Sequence, residues 1–135
     1  MIKLLENCNL CPRRCGVNRL KGQLGFCKAG DKVKLARAAL HHWEEPCISG
    51  SAGSGTVFFS NCTLKCVFCQ NSEISQCSIG KEISIDRLAE IFVELQEKKA
   101  LNINLVTPTH YVPQIIEAIK LAKDRGLTIP ILYNC

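Results

Sequence analysis

Cys62, Cys66 and Cys69 are spaced C-x3-C-x2-C directly behind the apolar run Thr56-Val57-Phe58-Phe59-Ser60, and no other stretch constrains the chain as tightly. Three thiolates this close in sequence can face one iron–sulfur cube, because a loop of this length curls around it with each sulfur turned inward. They leave one iron of a [4Fe-4S] cluster without a cysteine. Four-cysteine electron carriers fill every iron, whereas an open coordination position is what a catalytic metal centre needs to hold a substrate. The spacing therefore predicts a cluster on Cys62, Cys66 and Cys69, carried on a loop at the end of a strand.

From Thr56 onward the pattern alternates strand and helix. Val57-Phe58-Phe59 is a short continuous apolar run of the kind buried on both faces of a parallel sheet. Leu88, Ile91, Phe92 and Leu95 recur at helical spacing behind Ser84 and Asp86, either of which can cap a helix over roughly residues 85–99. Ile103-Asn104-Leu105-Val106 reads as the second strand. Pro113 suits the first turn of a helix with the stripe Ile115, Ile116, Ile119 and Ala122, and Gly126 follows its end. Residues 127–132 read as the third strand, with Pro130 hinting at an edge. Such strand–helix alternation gives right-handed crossovers and a parallel sheet, whose strand ends carry the ligand. The Cys62 loop, Thr107–His110 and Tyr133-Asn134 would then meet at one mouth.

The chain ahead of this alternation has another character. Cys8, Cys11, Cys15 and Cys27 are separated by turn-forming Pro12, Gly16, Gly22 and Gly25, and four thiolates suit a closed zinc site or a second iron–sulfur cluster. Residues 33–40 alternate as a strand does, and Ser49-Gly50-Ser51-Ala52-Gly53-Ser54-Gly55 reads as a linker or mobile loop. Two units result: a Cys-rich segment over 1–48 and a core over 49–135. Of the ten cysteines, Cys77 and Cys135 fit neither metal set, and Cys47 reads as a buried thiol.

The net charge is +5, and it is uneven: residues 1–40 hold nine Lys or Arg against two acids, the remainder eight against ten. These cations can offset metal-bound thiolates, and with no aromatic residues interleaved for base stacking, nucleic acid is a poor partner. The first residues form no apolar stretch of signal-peptide length, and no segment approaches a membrane span. A reducing cytoplasm, where thiols stay available for metal, is the expected location.

The C-x3-C-x2-C motif with Phe68 before its last cysteine resembles the signature of radical S-adenosylmethionine enzymes. Cys8-x2-Cys11-Pro-Arg-Arg-Cys15-Gly-Val-Asn, His42-Trp43-Glu44-Glu45-Pro46, Cys69-Gln70-Asn71 and Val106-Thr107-Pro108-Thr109-His110 are similar to the branch resembling pyruvate formate-lyase activating enzyme. The resemblance implies an α/β fold: the N-terminal portion of a partial (β/α)6 TIM-like barrel, preceded by the small Cys-rich segment. It also implies a chain that is a fragment or a truncated product. The open iron would chelate the amino and carboxylate groups of S-adenosylmethionine, and reductive cleavage would yield a 5′-deoxyadenosyl radical, with activation of a glycyl radical enzyme as the implied use. Phe68, Asn71, Thr107, Thr109 and Asn134 are the implied cofactor contacts. Many relatives carry Gly-Gly-Glu-Pro where this chain has Val106–His110. No side chain is singled out as a catalytic acid or base, because the hard chemistry belongs to the cofactors. Expected partners are a protein substrate and a small electron-donor protein. A zinc-stabilised binding module and an inactive truncated remnant are the competing readings.

Overall fold

The computed structural model describes residues 1–135. Five strands form one sheet: β1 (Val33–His41), β2 (Ser54–Phe59), β3 (Lys81–Ile83), β4 (Ile103–Val106) and β5 (Ile131–Asn134). Four helices accompany them: α1 (Pro46–Ser49), α2 (Ser72–Ser75), α3 (Ile85–Glu97) and α4 (Val112–Asp124). Short 3-10 turns occupy Ile2–Leu5, Arg19–Lys21 and Thr109–Tyr111. No helix is long and apolar enough to cross a membrane.

Local chemistry sets the two long helices. The Ser84 hydroxyl accepts from the Arg87 amide at 3.0 Å, capping α3, whose Leu88, Ile91, Phe92 and Leu95 are all buried. Pro113 lies in the first turn of α4, and Gly126 follows its end at φ +97°, where a side chain would be strained. The third strand of the alternation starts later than its apolar residues suggest. The Gln96 side chain accepts from the amides of Thr128 (2.7 Å) and Ile129 (3.1 Å), and Pro130 has no amide to give a ladder, so β5 begins at Ile131.

The sheet order is β3-β1-β2-β4-β5. β2, β4 and β5 run parallel, but β1 is antiparallel to both β2 and β3. This overturns the barrel expectation: the fold is a small open mixed sheet with four helices, not part of a (β/α)6 barrel. The reason lies at the outer edge of β2, which β1 fills in the opposite direction from Leu35 beside Phe59 to His41 beside Ser54. Closing a parallel barrel needs that edge for a parallel neighbour.

The Ser/Gly stretch is not a linker either. Gly53, Ser54 and Gly55 are buried, the Ser54 hydroxyl donates to Asn102 Oδ1 at 2.6 Å, and a Cβ on Gly55 would lie 2.8 Å from the Asn102 carbonyl oxygen. Small residues here serve close packing of β2 on the chain ahead of β4.

Strand alternation divides the sheet. Val57, Phe59, Ile103 and Leu105 point into the core formed with Leu88, Phe92, Ile115 and Ala118. Ser54, Thr56, Phe58, Asn104 and Val106 therefore face the other side.

Candidate metal centre

Behind Phe59 the backbone turns through left-handed residues, Asn61 at φ +72° and Lys65 at φ +55°. The two residues ahead of Cys62 are held from three sides. The Ser60 amide donates to the Lys34 carbonyl on β1 (2.9 Å), the Asn61 amide donates to the Ile74 carbonyl in α2 (2.9 Å), and His110 Nε2–H donates to the Ser60 carbonyl (2.9 Å). Asn61 Nδ2 also donates to the Tyr111 hydroxyl at 3.3 Å. The cluster loop thus leaves the sheet from a fixed point.

Cys62 is buried, while Cys66 and Cys69 are half-buried. The Leu64 amide donates to Cys62 Sγ and the Ser75 hydroxyl to Cys69 Sγ, both at 3.4 Å. Donors aimed at sulfur compensate the negative charge that thiolates bring to an iron–sulfur cluster. Cys66 sits on a turn closed by the Cys69 amide and by Gln76 Nε2, which both donate to its carbonyl (3.2 and 3.0 Å). Cys62 and Cys69 line one cavity of about 60 Å³ with Phe58, Asn71, Val106 and Thr107, at the carboxyl ends of parallel β2 and β4. Nowhere do three or more His, Cys, Asp or Glu side chains converge as a single-ion site. A four-iron cluster takes each cysteine on a separate iron; the sulfur-directed donors and the shared cavity serve Cys62 and Cys69, while Cys66 lies outside that cavity on the turn between them.

Of the residues singled out as cofactor contacts, the structure brings Asn71 and Thr107 together with Cys62 and Cys69. Asn71 precedes α2 yet its side chain caps nothing, so turn formation does not occupy it. Phe68 is 84% exposed and fills no core; with Leu64 and Val67 it forms a bare apolar lip on the loop. Thr109 is engaged elsewhere, its hydroxyl 2.8 Å from that of Tyr133. Asn134 lines a separate open depression of about 380 Å³ with Asn104, Tyr133 and Cys135.

Two residues escaped sequence reasoning. Ser75 lies in a polar stretch with no visible signal. Asn104 did leave one, an amide amid the apolar residues of a strand. It is 1% exposed, with both amide atoms unpartnered, and its register neighbour Thr56 is equally buried with a free hydroxyl. His110 is 2% exposed, and burial, aided by the charge of Arg19 against the Ser60 bond, lowers its titration to about 4. It is a neutral donor that holds Ser60 in place.

The N-terminal cysteines form a second constellation. The Cys8 amide donates to the Val17 carbonyl and the Gly16 amide to the Cys8 carbonyl, both at 3.0 Å, so one hairpin carries Cys8, Cys11 and Cys15. A turn closed from the Lys28 amide to the Gly25 carbonyl presents Cys27. All four cysteines line one cavity of about 20 Å³ with Arg13, Arg19 and Thr63. A Cβ on Gly25 would lie 2.9 Å from Cys15 Sγ, so only glycine leaves that sulfur its place. Burial raises the Cys27 thiol's titration above its ordinary value, with the Ala29 amide and Arg19 pulling it down and Cys8 and Cys11 adding to the rise.

A thiol-lined cavity with sulfur-directed donors at a sheet end suits an iron–sulfur centre, and the match to a family model gives the class: an iron–sulfur protein. The chain belongs to the 4Fe-4S single cluster domain family, whose model matches residues 48–132. It is also similar to an uncharacterized protein of Methanocaldococcus jannaschii, 31% identical over 140 residues that cover 97% of this chain and 39% of that protein. No solved structure matches it.

Proposed function

We propose that the chain is the cluster-bearing part of a radical S-adenosylmethionine enzyme. One observation carries the reading: Cys62 and Cys69 share a cavity with Asn71 and Thr107 at the ends of two parallel strands. A three-cysteine loop leaves an iron open, and the polar groups beside it suit the amino acid end of a chelating ligand. Bound there, the cluster supplies the electron that cleaves the sulfonium bond of S-adenosylmethionine. The protein's own part is to fix the loop through Ser60 and Asn61, to direct donors at the sulfurs, and to offer the Asn71 side chain and Thr107 hydroxyl to the ligand. Phe68 is free to lie against a nucleoside once one is bound. Thr109 and Asn134 are remoter candidates, Thr109 after release from Tyr133.

Activation of a glycyl radical enzyme, with a protein substrate and a small electron-donor protein, extends this proposal to the whole enzyme. The chain spans 39% of the relative it matches, so these belong to that longer context. In the same reading, Cys8, Cys11, Cys15 and Cys27 hold a second metal, and the protein works in a reducing cytoplasm.

Anaerobic reconstitution with iron and sulfide tests the main proposal. The expected protein is brown, changes its electron paramagnetic resonance spectrum on adding S-adenosylmethionine, and releases 5′-deoxyadenosine when reduced. A cluster whose spectrum ignores S-adenosylmethionine would leave an iron–sulfur protein of another kind.

A further inference from the structure

One end of the molecule carries positive charge without compensation. Residues 7–30 and 46–72, which include the N-terminal hairpin and the cluster loop, hold six Lys or Arg and no Asp or Glu. Of these six, Arg19 is buried. Arg13, Arg14, Lys21 and Lys28 are exposed, Lys65 is half-buried, and none of the six enters an ion pair. Two of them are gathered on one ring: the Arg13 guanidinium lies 3.4 Å and Lys65 Nζ 4.7 Å from the centroid of Phe26. Each cation gains from the ring's negative face, but the two repel each other, and no acid of the chain is paired with either. An acidic partner supplies what this platform lacks.

Apolar surface adjoins the charge. Leu64 is 62% and Val67 97% exposed, and between them stand Lys65 and Cys66. Bare apolar side chains beside Arg, Lys and an aromatic ring have the make-up of a protein docking surface, an apolar centre with a charged rim. Cys66 is half-buried and lies outside the cavity that Cys62 and Cys69 share with Asn71 and Thr107. The lip and the ligand cavity therefore belong to different cysteines of one loop.

We infer that Leu64 and Val67, with the platform of Arg13, Phe26 and Lys65 and the neighbouring Arg14, form the docking surface for a small acidic one-electron carrier that reduces the cluster by way of Cys66. This rests on the proposed function, which requires an electron for each cleavage, and deepens it by naming the face where the electron enters and the charge of its donor. One electron passes from the reduced carrier to the oxidised cluster, no bond forms or breaks, and the carrier leaves oxidised. An acidic carrier approaching thiolate-bound iron is repelled, and the cations around the lip offset that repulsion and steer the encounter. Redox encounters bury little surface, below about 1,200 Å², so a lip of two apolar residues with a charged rim suffices.

The test uses the whole chain reconstituted with iron and sulfide, and an acidic plant-type ferredoxin as the carrier. Binding of the two proteins and the rate of cluster reduction by reduced ferredoxin are measured beside reduction by photoreduced deazariboflavin, a small neutral donor that needs no docking surface. Lys65→Glu and Arg14→Glu are expected to slow reduction by ferredoxin roughly tenfold or more, and Val67→Asp to weaken binding, while the deazariboflavin rate and the iron content stay unchanged. Added salt slows the ferredoxin reaction of wild type and not that of deazariboflavin. Lys65→Arg restores the wild-type rate, and Lys120→Glu, on the exposed side of α4, leaves it unaltered. Ferredoxin rates indifferent to salt and to these variants would overturn the docking surface, even in a protein that cleaves S-adenosylmethionine. Rates that respond as expected in a protein that does not cleave S-adenosylmethionine would uphold the docking surface and sink the proposed function instead. Binding of the chain to phosphatidylserine vesicles through the same residues, with no effect of the variants on ferredoxin, would overturn the proposal in favour of a membrane-facing surface.

Discussion

Arg13 Nε donates to the carbonyl oxygen of Thr63 at 2.8 Å, a bond between residues fifty positions apart that ties the N-terminal hairpin to the cluster loop. The Arg13 guanidinium also stacks on Phe26, 3.4 Å from the ring centroid, with Lys65 Nζ on the same ring at 4.7 Å. A charged, part-buried hydrogen bond of this kind contributes about 1.5–3 kcal/mol. Arg13→Ala is therefore expected to speed iron loss to a chelator roughly tenfold while leaving iron content after reconstitution unchanged. Equal rates in the two proteins would show that the hairpin does not restrain the loop.

Acid is expected to destabilise the chain through His110. Its imidazole titrates near 4 when folded and at the ordinary 6.5 when unfolded, so unfolding takes up a proton between these values. The stability due to the neutral ring is complete above 6.5 and is lost as pH falls towards 4. Denaturant titrations of wild type and His110→Gln, in one metal state, isolate this contribution, because glutamine can still donate to Ser60. The stability of wild type relative to the variant should rise with pH between about 4 and 6.5 and be level on either side of that window; a difference independent of pH would contradict the assignment.

Asn104 spends stability on an amide without partners. Asn104→Val removes a buried unsatisfied group and restores a strand-forming residue, and is expected to raise unfolding free energy by about 1–3 kcal/mol. The measurement is a urea midpoint shift at unchanged slope. Destabilisation would mean that the amide is satisfied in solution.

Ser75 donates to Cys69 Sγ from α2. Hydrogen bonds to the sulfurs raise a cluster's reduction potential by stabilising added negative charge. Ser75→Ala is expected to lower the potential while retaining full iron content, as read by a redox titration of the reconstituted chain. An unmoved potential would place the hydroxyl away from the ligated sulfur.

The long elements were legible because each repeats its signal. The apolar stripe of α3, its Ser84 cap, and Pro113 at the start of α4 are all visible as residue types at fixed spacing. Sheet direction was not. β1 alternates equally well in either direction, and its outer antiparallel partner β3 is three residues of which two are charged. That Lys81-Glu82-Ile83 forms a strand depends on Gly80, whose missing side chain leaves space for Leu35 and Ser60. The Ser/Gly stretch was misread because composition alone does not separate flexibility from close packing. In the candidate site, the N-terminal spacing grouped four thiols that share a cavity, whereas of the C-x3-C-x2-C set Cys62 and Cys69 share one and Cys66 lies outside it. The charge beneath them was hidden, since a buried arginine has the same letter as an exposed one.

The backward run of β1 also acts as a routing device. A strand antiparallel to β2 starts where β2 ends, so Leu35 lies beside Phe59 and the chain ahead of Val33 emerges at the cysteine loop. Had β1 run forward, Val33 would lie beside Ser54, and the N-terminal hairpin would be delivered to the opposite rim, about 20 Å away over six residues of strand. Arg13 could not then reach Thr63. One strand's polarity brings two cysteine sets, one closed before the sheet begins and one opened after its second strand, to a common address.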